Sequence, residues 1–457
     1  MLGFRRPMPV AKYGVLIAVA GLLCVIVLRA VPERKTSRPH PTIVMVLADD
    51  LSQSVYDATP GLDTIAASGV RFTTITSTPL CGPTRAAILT GKYPHNSGIQ
   101  SNKRSNVAVW NARHLGNTVP DWLRAAGYFT IGAGKFVSGI KPRFGIHGFD
   151  EWIEVEHDKR TGLTPGGTYW VDELIQRTKA AIRAAPADRP VFVHFSPATP
   201  HGPFVPAPRY AGSAATLRLP RGPSFLEEDL SDKEDRVRTR DHVDEAQIAT
   251  ITARWQMQVE QTRSLVDAIS AIDEVLVETN REQDRYLLFS SDNGFNAGEH
   301  GIPSGKGLPY LESLEVPSFA LGPDVAVGTR LKSLIVSHDF AATIAELAGV
   351  DTPSIDGVSI APLLRGARPA WRRRVYVSFH SARRDVPTWE GVRTRSRSAV
   401  VWYPSLWTEG YGPNDPYELD SHCKGRPFAR CIPTLSSRLD ALRSCAGNDC
   451  WRVETER

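Results

Sequence analysis

Thr42-Ile43-Val44-Met45-Val46-Leu47-Ala48-Asp49-Asp50 is an unbroken apolar run that ends on two carboxylates. A strand with one wet face alternates apolar and polar residues. A strand without that alternation is buried on both faces, as in the interior of a parallel sheet. Three further runs have the same form, at residues 128–133, 191–195 and 286–289. Each is followed within a few residues by side chains of catalytic type: Lys135, then His201, then Asp292-Asn293. Helical stretches separate the runs, so the chain reads as α/β. In an open α/β sheet the ligand lies beyond the carboxyl ends of the strands. Any one of these polar residues alone would be a turn or a helix cap; four runs ending alike point to one site.

The stretches between the runs are helical by spacing. Residues 61–68 read as a helix closed by Gly69, and residues 339–347 as another with Gly349 beyond. Residues 246–278 carry Leu265, Ile269, Ile272 and Leu276 on one face, which would pack on the sheet. Residues 221–245 are densely charged with both signs and read as a solvated loop, with a rim of the substrate cleft as the lesser alternative.

A second stretch carries the chemistry: Cys81-Gly82-Pro83-Thr84-Arg85-Ala86-Ala87-Ile88-Leu89-Thr90-Gly91. Proline suits the first turn of a helix and glycine the position past its end, which predicts a short helix over residues 83–90. Cys81 would then sit at the positive end of the helix dipole, with Arg85 four residues on along the same face. A thiol and a guanidinium converging there suit an anion. Asp49, Asp50, Asp292 and Asn293 offer only oxygen ligands, which suits calcium or magnesium and suits zinc poorly.

The 457 residues allow one large domain, residues 41–365, and a smaller α+β subdomain, residues 366–457. In the latter, aromatic and β-branched residues alternate as in a small antiparallel sheet, with a closing helix near residues 435–443. Eight arginines lie between Arg372 and Arg397 against only Asp385 and Glu390, which fits solvated edge strands or an anion-binding rim equally well. A net charge of +5 with no base-reading motif makes no case for nucleic acid.

Residues 1–40 place Arg5, Arg6 and Lys12 ahead of an apolar run at residues 15–28, followed by a polar linker. That order predicts export, as a secreted, periplasmic or membrane-anchored protein facing out of the cytoplasm. The leader is either a cleaved signal or an anchor over residues 13–31. Cys423, Cys431, Cys445 and Cys450 read as two disulfides, for which three connectivities exist. Short separations favour Cys423 with Cys431 and Cys445 with Cys450.

The Cys81 to Gly91 stretch resembles the CxPxR signature of the type I sulfatases, with Thr84 where serine is usual. The resemblance implies an alkaline-phosphatase-like sandwich built on a large mixed, mostly parallel sheet. It implies that a formylglycine-generating enzyme oxidises Cys81 to formylglycine (3-oxoalanine), whose hydrated aldehyde attacks a sulfate ester. Calcium would be bound by Asp49, Asp50, Asp292, Asn293 and the oxygen at position 81, with magnesium as the alternative ion. Arg85, Lys135 and Lys306 match the family's cationic positions, and His201 its general acid.

Many members follow the first lysine with an aromatic residue and a histidine, whereas Lys135 is followed by Phe136 and Val137. His95 is a candidate substitute or a substrate contact. Residues 81–96, Pro200-His201-Gly202-Pro203-Phe204, and Asp415-Pro416-Tyr417-Glu418-Leu419 with Cys445 and Cys450 resemble the N-acetylglucosamine-6-sulfatase branch. That implies a sulfated carbohydrate as substrate, N-acetylglucosamine 6-sulfate or a glycosaminoglycan end, with Arg393 and Arg395 as candidates to hold a neighbouring sugar. The rival readings are a phosphonate or phosphate ester hydrolase and a non-catalytic binder of sulfated glycans.

Overall fold

β1 (Thr42–Ala48) occupies an interior position of a nine-stranded sheet, between β5 (Val191–Ser196) and β6 (Arg285–Ser291), parallel to both. A computed structural model describes residues 40–140, 146–381 and 386–456 of the chain. The leader, and with it the export expectation, lies outside the described residues. So do Arg383, Arg384 and Asp385 of the arginine-rich stretch.

The absence of alternation in β1 has the predicted cause. Ile43, Met45 and Leu47 belong to the apolar core on one face, and Val44, Val46 and Ala48 to the core on the other. β2 is Val70–Ile75, β3 Phe129–Gly134, β4 Glu151–Ile153, β7 Glu315–Leu321, β8 Thr329–Arg330 and β9 Ile335–Val336. The order is β4-β3-β5-β1-β6-β7-β2-β8, with β9 also pairing β2. Only β7 runs against its neighbours, so the sheet is mixed and mostly parallel. The carboxyl ends of β1, β3, β5 and β6 therefore lie at one edge, where the ligand site of such a sheet belongs.

A long helix, Glu245–Glu278, lies on one face with Leu265, Ile269, Ile272 and Leu276 buried, and Asp244 and Gln247 form a capping box at its start. The helix Pro60–Ala66 ends earlier than residue 68, and Asp339–Ala348 ends at Gly349 in the left-handed conformation, φ 67°. Among the described residues no helix is long and apolar enough to cross a membrane.

The C-terminal sheet is antiparallel, in the order β10 (Val375–Phe379), β11 (Thr388–Arg393), β12 (Ser398–Tyr403), β13 (Thr408–Tyr411). Packing is continuous across residue 365: the Trp389 indole donates to the Gly307 carbonyl at 2.8 Å, and Arg393 to that of Pro309 at 3.0 Å. Disulfides join Cys423 to Cys431 and Cys445 to Cys450, the local pairing. In place of one closing helix there are three short ones, Pro433–Ser436, Leu439–Ser444 and Asn448–Thr455, the second ending at Cys445 in extended backbone.

Two charge readings need correction. Residues 221–245 are not simply a solvated loop: Asp232, Lys233 and Glu234 are buried there. Lys233 donates to the carbonyls of Glu418 and Leu419 and to the Tyr411 hydroxyl, and pairs with Glu227. Nor is the arginine-rich stretch uniformly an exposed edge or a rim. Arg372 is buried between Asp339 and Glu454, Arg374 donates to the Val453 carbonyl, and Arg393 pairs with Glu418. Their partners lie outside the stretch in sequence, so a local count of acids missed them.

Candidate active site

The helix carrying the thiol spans Cys81–Thr90, starting at the cysteine itself, and Gly91 ends it at φ 69°. Its first turn is tied down on both sides. The Gly82 N–H donates to Asn102 Oδ1 at 2.8 Å, and the Thr84 hydroxyl to the Thr78 carbonyl at 2.8 Å. All ten residues are buried, so the helix packs inside the fold with Cys81 facing the strand ends.

At those ends the charged side chains interlock. Cys81 Sγ lies 3.5 Å from Asp49 Oδ1 and 2.9 Å from Lys306 Nζ. Lys306 also pairs with Asp50. Lys135 Nζ lies 2.5 Å from Asp49 Oδ2. Arg85 Nε donates to Asp292 Oδ2 at 2.7 Å, and Arg85 Nη1 to the Lys135 carbonyl at 2.8 Å and to Ser196 Oγ at 2.5 Å. Asp50 takes the left-handed conformation, φ 67°, which aspartate tolerates better than most residues and which turns the chain just past β1. Its N–H then donates to Asp292 Oδ1 at 3.2 Å.

Burial by itself would hold Asp49 neutral, but the charges of Lys135 and Arg85 outweigh it and keep the carboxyl well below its ordinary range. Burial likewise opposes the charge on Lys135 and Lys306; Asp49 for the one and Asp50 for the other reverse it, so both ammonium groups are raised. Burial and the Asp292 charge push the Cys81 thiol up to about 12. As an unmodified thiol it is protonated at neutral pH and a weak nucleophile.

His201 Nε2 lies 3.7 Å from Asp50 Oδ2, and Nδ1 lies 2.6 Å from the Gly202 carbonyl. A carbonyl only accepts, so Nδ1 carries the hydrogen and Nε2 is free to exchange a proton. Ligand atoms of Asp49, Asp50, Cys81 and His201 lie within 4.8 Å of one another. Asn293 Nδ2 donates to Asp50 Oδ1 at 2.6 Å, while its Oδ1 is buried without a donor. An orphaned carbonyl oxygen beside two carboxylates is the donor set of a hard divalent cation, so these residues fit one.

A cavity of about 220 Å³ adjoins the cluster, with Lys135 and His201 in its wall beside His157, Lys159, Gly202 and Pro203.

Asp49, Asp50, Cys81, Arg85, Lys135, His201, Asp292, Asn293 and Lys306 thus converge. Three other sequence candidates do not join them. His95 Nε2 lies 3.1 Å from the Cys445 carbonyl and its ring stacks on Tyr93, so its hydrogen bond and its ring contact are made to groups other than Cys81. Arg393 is consumed by Glu418, and Arg395 lines a different groove. Two participants were missed. Ser196 ends β5 and could have been found by the strand-end rule that found Asp292; Asn102 had no signal in its surroundings.

The sulfatase family model matches residues 41–350, and that of the N-sulphoglucosamine sulphohydrolase C-terminal region matches residues 298–445. N-acetylglucosamine-6-sulfatase of Capra hircus is 25% identical over 474 residues, covering 90% of this chain and 85% of its own. N-acetylglucosamine-6-O-sulfatase of Bacteroides thetaiotaomicron is 25% identical over 498 residues, covering 90% and 87%. Among solved structures, a protein in complex with its substrate D-glucosamine-2-N,6-O-disulfate superposes with a TM-score of 0.72 at 22% identity, covering 88% of this chain and 97% of its own. The phosphonate monoester hydrolase of Agrobacterium radiobacter gives 0.70 at 18%, covering 88% and 95%. The fold is shared across these chemistries.

Proposed function

The chain belongs to the sulfatase family, and from that premise we propose that it is an exported hydrolase that removes the 6-O-sulfate from a terminal N-acetylglucosamine or glucosamine residue. One observation carries the reading: Cys81 opens a buried helix beyond the strand ends, with Lys306 at 2.9 Å and Asp49 at 3.5 Å. The 6-O-sulfatases among its relatives, matched over nearly the whole chain, support the substrate class. Extracellular sulfatase homologues of Drosophila melanogaster and Caenorhabditis elegans support export.

Cys81 converted to formylglycine would supply the nucleophilic hydroxyl, and a calcium or magnesium ion held by Asp49, Asp50, Asp292 and Asn293 would offset negative charge on the ester. The chain's own residues do the rest. Lys135, Lys306 and Arg85 bring three positive charges to a place where an ester presents three non-bridging oxygens, and preorganised charge is the largest single source of rate. Arg85 is anchored by Asp292 and Ser196, so it needs no reorganisation on binding. His201, in its protonated form, gives the Nε2 proton to the departing alcohol while Nδ1–H stays on the Gly202 carbonyl. The cavity beside Lys135 and His201 has the scale of one sugar residue, which favours a chain end over an internal site.

Mass spectrometry of the peptide bearing residue 81, together with hydrolysis of mono-sulfated saccharides that differ only in ester position, tests this. An unmodified cysteine in fully active protein would remove the formylglycine step. A 2-O- or 4-O-sulfated sugar cleaved as fast as the 6-O-sulfated one would remove the substrate assignment and leave the family intact. Chelation should abolish activity, with calcium or magnesium restoring it better than zinc. A matched aryl phosphonate turned over faster than the aryl sulfate would favour the fold's other chemistry.

A further inference from the structure

A groove of about 300 Å³ runs beside the β2–β8–β9 end of the large sheet, and Arg330, Lys332 and Arg395 line it with Ile75, Leu311 and Glu315. The cations come from three places: β8, the link from β8 to β9, and the turn from β11 to β12. All three are exposed. None makes an ion pair or side-chain hydrogen bond among the described residues, whereas Arg71, beside Arg330 in the sheet register, is paired with Asp63. The turn presenting Arg395 is held by its own bonds: Thr394 N donates to the Arg397 carbonyl at 2.8 Å, and Arg397 N to Thr394 Oγ1 at 3.0 Å.

Charge on an edge strand discourages sheet-to-sheet association, which accounts for Arg330 and Lys332. It does not account for Arg395, which reaches the same groove from the other sheet. Three like charges with one carboxylate between them repel one another unless an anion joins them. Short lengths of chain link the groove to the reaction centre. Ile75 lies six residues before Cys81, a length of chain that spans at most about 21 Å. Leu311 follows Lys306 by five residues.

We propose that this groove is an exosite for the trailing part of a sulfated polysaccharide whose terminal sugar lies at Cys81. The proposal rests on the reading of the protein as a sugar sulfatase. Guanidinium groups take sulfate oxygens two at a time, and a polymer with a sulfate on successive sugars can reach several cations together. The contacts are exposed, so their contribution falls as salt rises.

The test compares wild type with the R330E/K332E/R395E triple variant on a heparin-derived dodecasaccharide and on monomeric 6-O-sulfated N-acetylglucosamine. The expected result is a KM for the dodecasaccharide raised about tenfold at low salt, converging with wild type at high salt, and unchanged kinetics on the monosaccharide. Arg395→Ala alone should shift the dodecasaccharide KM in the same direction. Unchanged KM for the polymer, or equal losses on both substrates, overturns the exosite. An oligothymidylate of matched charge that displaces the dodecasaccharide equally well overturns its assignment to polysaccharide. If wild type hydrolyses neither substrate, the enzymatic reading fails, and calorimetric titration of the dodecasaccharide onto both proteins still decides whether the groove binds it.

Discussion

Two of the buried charge clusters among the described residues differ in what their cations face. At the strand ends, Lys135 pairs with Asp49 yet also lines an open cavity, and Asn293 keeps a buried oxygen without a donor. In the second cluster, Lys233 is fully buried among Glu227, Asp232, two carbonyls and Tyr411, and lines none of the cavities described above. His300 beside it bridges Glu227 at 2.6 Å and Glu312 at 3.5 Å. Both clusters bury ions that would be costly alone. Of the two, the first has a cation in the wall of a cavity, so buried charge by itself does not mark an active site. Buried polar atoms without a hydrogen-bond partner occur in both, Asn293 Oδ1 in the first and Asp232 Oδ1 in the second, so the cation in a cavity wall is what sets the first apart.

Substitutions can break this contrast. The largest expected effect is Cys81→Ala, which removes the covalent route and should cut turnover by about 10⁴-fold or more while the melting temperature holds. Near wild-type turnover in that variant would place the chemistry elsewhere. Lys233→Met should do the opposite: stability falls by about 3–5 kcal/mol because Glu227 and Asp232 are left buried without their cation. Urea denaturation measures the loss, and activity per folded molecule should be unchanged; a selective loss of activity would make the second cluster functional. Lys135→Ala should lower kcat/KM by about 10²–10³-fold, as expected for loss of one preorganised charge, with a smaller change in stability than Lys233→Met.

The smallest effect is a slope. Burial disfavours the His300 imidazolium, but its bonds to Glu227 and Glu312 outweigh that and raise it from 6.5 to about 10. A group raised on folding adds stability that is full below pH 6.5 and is lost as pH rises through about 10. His300→Gln should therefore flatten the dependence of stability on pH across that window. An unaltered slope would mean that the bridge contributes nothing.

The loop between these clusters joins them. Asn296 N donates to the Gly305 carbonyl at 2.8 Å, closing a hairpin with His300 near its tip and Lys306 just beyond its base. Trp389 and Arg393 from the C-terminal sheet then hold the Gly307 and Pro309 carbonyls. The hairpin and the C-terminal sheet thus hold the chain on both sides of Lys306, the cation delivered to the first cluster.

The sequence by itself determined the interior strands, the polar residues at their ends and the short helix bearing Cys81, because apolar periodicity and strand termini are local properties. It also marked the two disulfides, whose partners are close along the chain. Tertiary structure alone decided that β7 runs antiparallel, that residues 221–245 bury Lys233, and that Arg372 and Arg393 are internal while Arg395 is not. Those outcomes depend on partners far away in sequence: Arg372 meets Asp339 and Glu454, and Lys233 meets the Glu418 and Leu419 carbonyls. A charged side chain is buried only where the fold brings it an opposite charge or an acceptor, and a local pattern holds no record of which distant segment that will be.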